Sequence, residues 1–167
     1  IPSTRVLEKG WNLVSFPQVA GESAVSSVIT NFAGRCLQMS RRSATNGVFE
    51  SFINDVRYNQ FSTISAARGY ALMVTNSAGM TLALGTNAAP VGAMQLAAGL
   101  HLLPGPARTM SVSDWLAGLS AGVDYGVVKG WNAATTNMVD VALVSPGHAY
   151  YVTMLRSATW TPPSFAS

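Results

Sequence analysis

Two segments of the chain carry apolar residues at the spacing of an amphipathic helix. In each segment positions i, i+3, i+4 and i+7 are apolar, which places them on one helical face. The two sets are Val25, Val28, Ile29 and Phe32 in the first segment and Val112, Trp115, Leu116 and Leu119 in the second. The pattern predicts helices over residues 24–33 and 111–119, each about ten residues long with one buried face.

Residues at the ends of these segments are typical of helix boundaries. Ser111 and Asp114 have a spacing that resembles a capping box, and Ser23 or Ala24 lies at the start of the first segment. Gly34 and Gly122 follow the last apolar positions, where a left-handed glycine commonly ends a helix. We expect the two helices to begin and end at these residues.

The remaining apolar segments are typical of β-strands, because they are rich in aromatic and β-branched residues and are bounded by turn formers. In the first half we expect strands near residues 5–8, 11–16, 36–39, 47–52, 70–75 and 80–84. In the second half we expect strands near residues 94–97, 100–103, 125–129, 149–154 and 159–161. The chain is therefore predicted to be mainly β, with one short helix in each half.

The two halves of the chain align as two copies of one unit. Residues 7–17 match 96–104, since both read as a Leu, a short spacer, a Gly, an apolar run and a Pro. In the closing strands, residues 68–75 match 146–153 as a turn at Gly before an aromatic, β-branched strand. This alignment places His148 in the position of Tyr70.

The alignment divides the chain into a first repeat, 1–88, and a second repeat, 89–167, which residues 86–90 join. The first repeat is longer in its middle, where residues 41–47 have the composition of an exposed hairpin tip. Half-domains of this size are marginal alone, so they are expected to pack together. We predict two tandem, pseudo-symmetric, β-rich half-domains of barrel or sandwich type.

The opening and closing motifs resemble those of a known accessory module. Residues 10–17 read Gly-Trp-Asn-Leu-Val-Ser-Phe-Pro, and Gly69-Tyr70 precedes a predicted strand. This combination resembles a duplicated β-rich module of large bacterial and archaeal surface proteins, which often lies beside dockerins, sorting signals or polysaccharide-active domains. The second half departs from the motif, with Leu100-His101 in place of Trp-Asn. The resemblance implies an extracellular or cell-surface module without catalytic residues.

Composition narrows the class of protein further. Apolar residues make up 49% of the chain and charged residues 10%, which excludes the high-charge, low-hydropathy class of disordered proteins. No apolar stretch approaches the roughly 18 residues of a transmembrane helix, so we predict no membrane span. The net charge is only +3 and the longest cationic run is Arg41-Arg42, so no nucleic-acid partner is expected.

The ends of the chain indicate a segment of a longer protein. It begins at Ile1 without a Met, and residues 161–164 read Thr-Pro-Pro-Ser, which is typical of a linker. We therefore expect neighbouring domains of a longer, exported parent protein among its partners. A low charge content with many Ser, Thr, Asn and Gly residues is common among exported bacterial proteins, which also favours export.

The residues that carry catalysis in other proteins form no recognisable motif here. The acids are Glu8, Glu22, Glu50, Asp55, Asp114, Asp124 and Asp140. Two of them could form the carboxylate pair of a glycoside hydrolase, but none lies in a distinctive motif. His101, His148 and Cys36 are too dispersed for a metal site, and Cys36 is expected to be a buried thiol. We expect no cofactor and no metal.

Aromatic residues that are not needed for the core are the candidates for binding. Flat Trp and Tyr rings can cover the apolar faces of sugar rings, while Asn, Gln and Arg hydrogen-bond the hydroxyls. Trp11 and Trp115 are expected in the core because they lie in an apolar strand and on a helical stripe. The candidate ligand-binding residues are Trp131, Asn132, Tyr151, Trp160, Tyr58 and Arg57. Tyr150 and Tyr151 face opposite sides of one strand, so one of them is exposed.

Three functions remain open on these grounds. The first is a non-catalytic carbohydrate-binding module that takes a polysaccharide or glycan on exposed Trp and Tyr rings. The second is a structural or adhesive module of a cell-surface protein that binds no glycan. The third is an enzyme that acts on glycosides. A list of solvent-exposed aromatic side chains separates the first two.

Overall fold

The structure is a computed structural model that describes residues 4–19, 21–42, 48–53, 55, 57–84, 91–133 and 135–163. Strands account for 49% of it and helices for 8%, so the protein is mainly β. None of the sheets in these residues closes into a barrel, and the fold is sandwich-like. Among the described residues, no helix has the length and apolar character to cross a membrane.

The first half consists of eight described strands and two single-turn helices. In chain order they are β1 (Thr4–Leu7), β2 (Gly10–Val14), β3 (Glu22–Ala24), α1 (Val25–Val28), α2 (Phe32–Arg35), β4 (Cys36–Arg42), β5 (Phe49–Phe52), β6 (Thr63–Ser65), β7 (Tyr70–Val74) and β8 (Met80–Ala83). Strands β2-β7-β4-β5 form an antiparallel sheet, while β1 pairs with β8 and β3 with β6. We call the four-stranded sheet the first sheet.

The second half has the same order of strand pairing in its described residues. Its elements are β9 (Met94–Leu96), β10 (Gly99–Pro104), β11 (Met110–Ser111), α3 (Val112–Trp115), β12 (Tyr125–Asn132), β13 (Asn137–Asp140), β14 (Leu143–Val144), β15 (Ala149–Met154) and β16 (Ala158–Trp160). Strands β10-β15-β12-β13 form the second sheet, while β9 pairs with β16 and β11 with β14. The predicted junction at 86–90 lies outside the described residues.

Each half has its own hydrophobic core, and a third cluster lies between the halves. In the first sheet Tyr70, Leu72 and Val74 of β7 point into the first core. In the second sheet Tyr150 and Val152 of β15 point into the second core, together with Met154. The opposite faces of the two sheets meet around Leu13, Leu102 and Ala149. Because side chains alternate along a strand, each sheet is buried on both faces in its centre.

Backbone and side-chain hydrogen bonds join the two halves beside this third cluster. The N–H of Ser15 donates to the carbonyl of Gly147 at 2.9 Å. Arg5 Nη1 donates to the carbonyl of Leu13 at 2.5 Å and to that of Gly147 at 2.7 Å. One guanidinium group of β1 therefore links β2 to the turn before β15.

The register of the sheets corrects the sequence alignment of the closing strands. Val14 lies opposite Tyr70 in the first sheet, and Leu103 lies opposite Tyr150 in the second. Both phenol oxygens accept a hydrogen bond from the backbone N–H five residues earlier, at 3.0 Å for Tyr70 and 2.9 Å for Tyr150. The position of Tyr70 is therefore matched by Tyr150, and the alignment with His148 is wrong by two residues.

The prediction of two ten-residue helices is wrong, although the side chains it selected are largely buried. The helices are α1 and α2 in the first segment and α3 in the second, each of four residues. Val25, Ile29 and Phe32 are buried, and so are Trp115 and Leu116. A short amphipathic helix gains its stability from packing rather than from propensity. In this structure single helical turns, rather than one continuous helix, bury the apolar side chains of each segment.

Of the predicted helix boundaries, the start at Ser111 is correct and both predicted ends are wrong. The N–H of Asp114 donates to the Ser111 side chain at 3.1 Å, which caps α3. Gly122 has a left-handed φ of 78°, but α3 ends at Trp115, so Gly122 does not end the helix. Gly34 lies inside α2 and is not left-handed. In the first half Ala24 rather than Ser23 is the residue before α1, and it makes no side-chain cap hydrogen bond.

Candidate functional site

A cavity of about 490 Å³ opens between the first and second sheets, beside the cluster that joins the halves. Its volume falls within the roughly 300–1,000 Å³ typical of small-ligand sites. The lining combines four aromatic side chains, three aliphatic or Met side chains and three polar ones: Trp11, Phe49, Trp131, Tyr151; Leu13, Ala71, Met138; Gln38, Ser40, Ser51. We call this space the intersheet cavity.

The first sheet supplies the wall that contains the polar side chains. Trp11 and Leu13 alternate along β2, so they face the cavity while Asn12 and Val14 face the first core. Trp11 is 36% exposed, which leaves part of its ring available to a ligand. The prediction that Trp11 belongs to the core is therefore wrong. Phe49, at the start of β5, is 44% exposed on the same wall.

Three polar side chains form a connected group within this wall. Gln38 Nε2 donates to Ser40 Oγ at 2.9 Å and to Ser51 Oγ at 3.0 Å, and the two hydroxyls lie 3.4 Å apart. The Gln38 carbonyl oxygen and the two hydroxyls retain hydrogen-bonding capacity, because each can make more bonds than these. The group therefore offers both donors and acceptors next to aromatic rings.

The second sheet supplies an apolar and aromatic wall. Trp131 of β12 lies opposite Met138 of β13, and Tyr151 of β15 completes the wall. Trp131 Nε1 is buried and has no hydrogen-bond partner in the described residues. Burial raises the pKa of Tyr151, and the positive charge of Arg42 opposes that rise. The phenol of Tyr151 is therefore neutral at ordinary pH.

Two of the six predicted binding residues line the intersheet cavity, and the other four do not. Trp131 and Tyr151 lie together in the intersheet cavity. Tyr150 is buried in the second core, so Tyr151 is the accessible member of the pair. The expectation that the two tyrosines face opposite sides is confirmed.

The prediction that Trp160 binds a ligand is wrong, because its side chain is buried. Its side chain is 1% exposed and packs edge-on against Trp115, with ring centroids 5.5 Å apart. Trp160 Nε1 donates to the backbone carbonyl of Trp115 at 3.0 Å. Both faces of the ring are therefore used by the second core. The expectation that Trp115 is a core residue is confirmed.

Tyr58, Arg57 and Asn132 lie outside the intersheet cavity. Tyr58 is 63% exposed and stacks against Arg57, whose guanidinium carbon lies 5.3 Å from its ring centroid. Arg57 also forms two hydrogen bonds with the carboxylate of Asp55. Asn132 Oδ1 accepts from the N–H of Thr135 in the turn between β12 and β13. None of the three is among the residues that line the cavity with Trp131 and Tyr151.

The residues that sequence reasoning missed come mostly from β4 and β5. Gln38 and Ser40 alternate with Met39, which is buried in the first core. This alternation was a usable signal that one face of the strand carries polar side chains. Which surface that face would meet depends on contacts between residues far apart in the chain.

Tyr151 is the one ionisable side chain among the described residues that line the cavity. Among the described residues that line it, none carries a carboxylate, so the pair that glycoside hydrolysis requires is not there. Cys36 is buried as predicted, with Sγ 3.6 Å from Met80 Sδ, and burial raises its pKa to about 11. No group of three or more metal-ligating side chains occurs within the described ranges.

Comparisons with family models, with curated proteins and with solved structures gave no match to this chain.

Proposed function

We propose that the protein is a non-catalytic carbohydrate-binding module and that a sugar residue occupies the intersheet cavity. The observation that supports this most directly is the composition of the walls. Trp11 and Trp131 supply rings for the C–H faces of a sugar, one from each sheet. Gln38, Ser40 and Ser51 supply the neutral hydrogen-bonding groups that sugar hydroxyls require.

The setting of the module is part of the proposal. The motif at residues 10–17 and the Gly69-Tyr70 pair before the rest of β7 resemble those of surface-protein modules. We therefore propose an extracellular location within a longer protein, where neighbouring domains would be its protein partners. Detection of the parent protein in the surface fraction of its source cells tests the location, and a cytoplasmic signal alone refutes it.

Affinity electrophoresis against a panel of soluble polysaccharides tests the binding function. A polysaccharide that binds should retard the protein, and Trp11→Ala and Trp131→Ala should each weaken the retardation about tenfold. Tyr58→Ala is the matched control, because Tyr58 is an exposed aromatic residue outside the cavity. The thermal midpoint of each variant shows that it is folded.

Two results would overturn the proposal. The first is a panel in which no polysaccharide retards the wild-type protein, which favours a structural module without glycan binding. The second is retardation that Tyr58→Ala abolishes while Trp11→Ala and Trp131→Ala leave it intact, which moves the site away from the cavity.

A further inference from the structure

A cationic side chain flanks the intersheet cavity, and no carboxylate of the described residues pairs with it. Gln38 and Ser40 both line the cavity, and Arg42 is the next residue on the same face of β4. Arg42 lies opposite Phe49, another lining residue, and its guanidinium carbon is 5.2 Å from the Phe49 ring centroid. The guanidinium group therefore stands at the edge of the cavity, above one of its aromatic walls.

The neighbouring charges do not neutralise Arg42. Arg41 points to the opposite face of β4, where it pairs with Glu50 at 2.9 Å. On the second sheet Lys129 pairs with Asp140 at 2.8 Å, so that carboxylate is already compensated. Within the described residues, Arg42 forms no ion pair, and its Nε is buried without a hydrogen-bond partner.

An unpaired buried guanidinium nitrogen needs an explanation, because buried polar groups in folded proteins are nearly always paired. Arginine binds planar carboxylates through two parallel hydrogen bonds, which makes a carboxylate the ligand group that best fits this position. The lining residues contribute no negative charge that would repel such a ligand. The positive charge of Arg42 also acts on Tyr151 in the opposite wall, where it lowers the pKa of the phenol against the effect of burial.

We propose that the cavity selects sugars that carry a carboxylate, with Arg42 as the residue that binds it. The ligand class is then a uronic acid residue within a polysaccharide, held with its ring against the Trp side chains. This inference rests on the proposed carbohydrate-binding function of the same cavity and adds the charge of the ligand to it.

The test compares polysaccharides that differ only in the carboxylate. Pectate, alginate and hyaluronan are each used beside their carboxyl-reduced forms, in which the acid is converted to a neutral primary alcohol. We expect the wild-type protein to bind at least one acidic polymer about tenfold more tightly than its reduced form. Raising the salt concentration should weaken only the binding of the acidic polymer.

Variants of the cationic residues complete the design. Arg42→Gln should lower the affinity for the acidic polymer about tenfold and leave that for the reduced form unchanged, which also shows that the variant is folded. Arg42→Lys should restore part of the affinity, because it keeps the charge without the planar fork. Arg57→Gln is the charge-matched control, since Arg57 is exposed and lies outside the cavity.

The outcomes separate this inference from the function on which it rests. If acidic and reduced forms bind equally, or if Arg57→Gln matches Arg42→Gln, the role of Arg42 is overturned while carbohydrate binding stands. If neither form of any polymer binds, and neutral polysaccharides also fail, both proposals are overturned.

Discussion

We expect His148 to make the stability of the fold sensitive to acid. The residue lies in the turn before β15, next to the contact between the halves, and its backbone forms a bridge with Val14. Its ring stacks on Tyr150 with the ring centroids 6.3 Å apart. Burial, with the nearby positive charge of Arg5, lowers the pKa of His148 to about 4.

The size of the effect follows from the difference between the folded and unfolded pKa values. An unfolded histidine has a pKa of about 6.5, so the unfolded chain takes up the proton first as the pH falls. The stability associated with a neutral His148 is therefore complete above about pH 6.5 and declines as the pH falls towards 4. The loss is about 2 kcal/mol at pH 5 and about 3 kcal/mol at pH 4.

Urea unfolding at several pH values between 7 and 4 measures this loss. The free energy of unfolding of the wild-type protein should fall about 2 kcal/mol more between pH 7 and pH 5 than that of His148→Gln. His101→Gln serves as the control for the loss of an imidazole, because it removes the other histidine of the chain. Parallel curves for the wild type and His148→Gln would refute the assignment.

Two further predictions concern packing and the thiol. Gly69→Ala should lower the free energy of unfolding by about 1–3 kcal/mol, because the new Cβ would lie 2.7 Å from Ala149 Cβ between the halves. Gly92→Ala, where the added Cβ meets no neighbour within 4 Å, is its control in urea unfolding, and equal effects would contradict the steric argument. Cys36 should react with a disulfide reagent at pH 8 roughly a hundredfold more slowly in the native protein than in denaturant, since burial raises its pKa to about 11. Equal rates, followed by the absorbance of the released thiol, would place it at the surface.

Local patterns were sufficient to predict most strands but not the helices. The predicted bounds of β15 match the observed ones because its side chains alternate between the second core and the intersheet contact. The helical spacing near Val25 marked a buried stripe, yet one face can also be buried by single turns. Strand β13 was missed because its ends, Asn137 and Asp140, are exposed and polar. Its pairing with β12 supplies the hydrogen bonds that its composition does not suggest.

The cavity could be predicted only in part, because its walls come from distant parts of the chain. Trp131 stood out in the sequence because polar residues surround it. Of Tyr150 and Tyr151 the sequence indicated only that one faces outward, and the structure shows that it is Tyr151. Trp11 was assigned to the core because its strand is apolar on both faces. In the structure one face contacts the first core and the other meets the second half. For Trp160 the prediction failed in the opposite direction. It was expected to be exposed on an edge strand, but it is buried in the second core.

The two walls of the intersheet cavity differ even though the sheets share one strand order. Where the first sheet pairs Ser40 with Ser51, the second pairs Lys129 with Asp140. Two identical subunits related by a rotation axis would have to present identical walls. A single polypeptide is free of that constraint, and each wall can diverge separately. The two walls are therefore unlike, so an elongated ligand placed between them would meet a different environment in each of its two orientations.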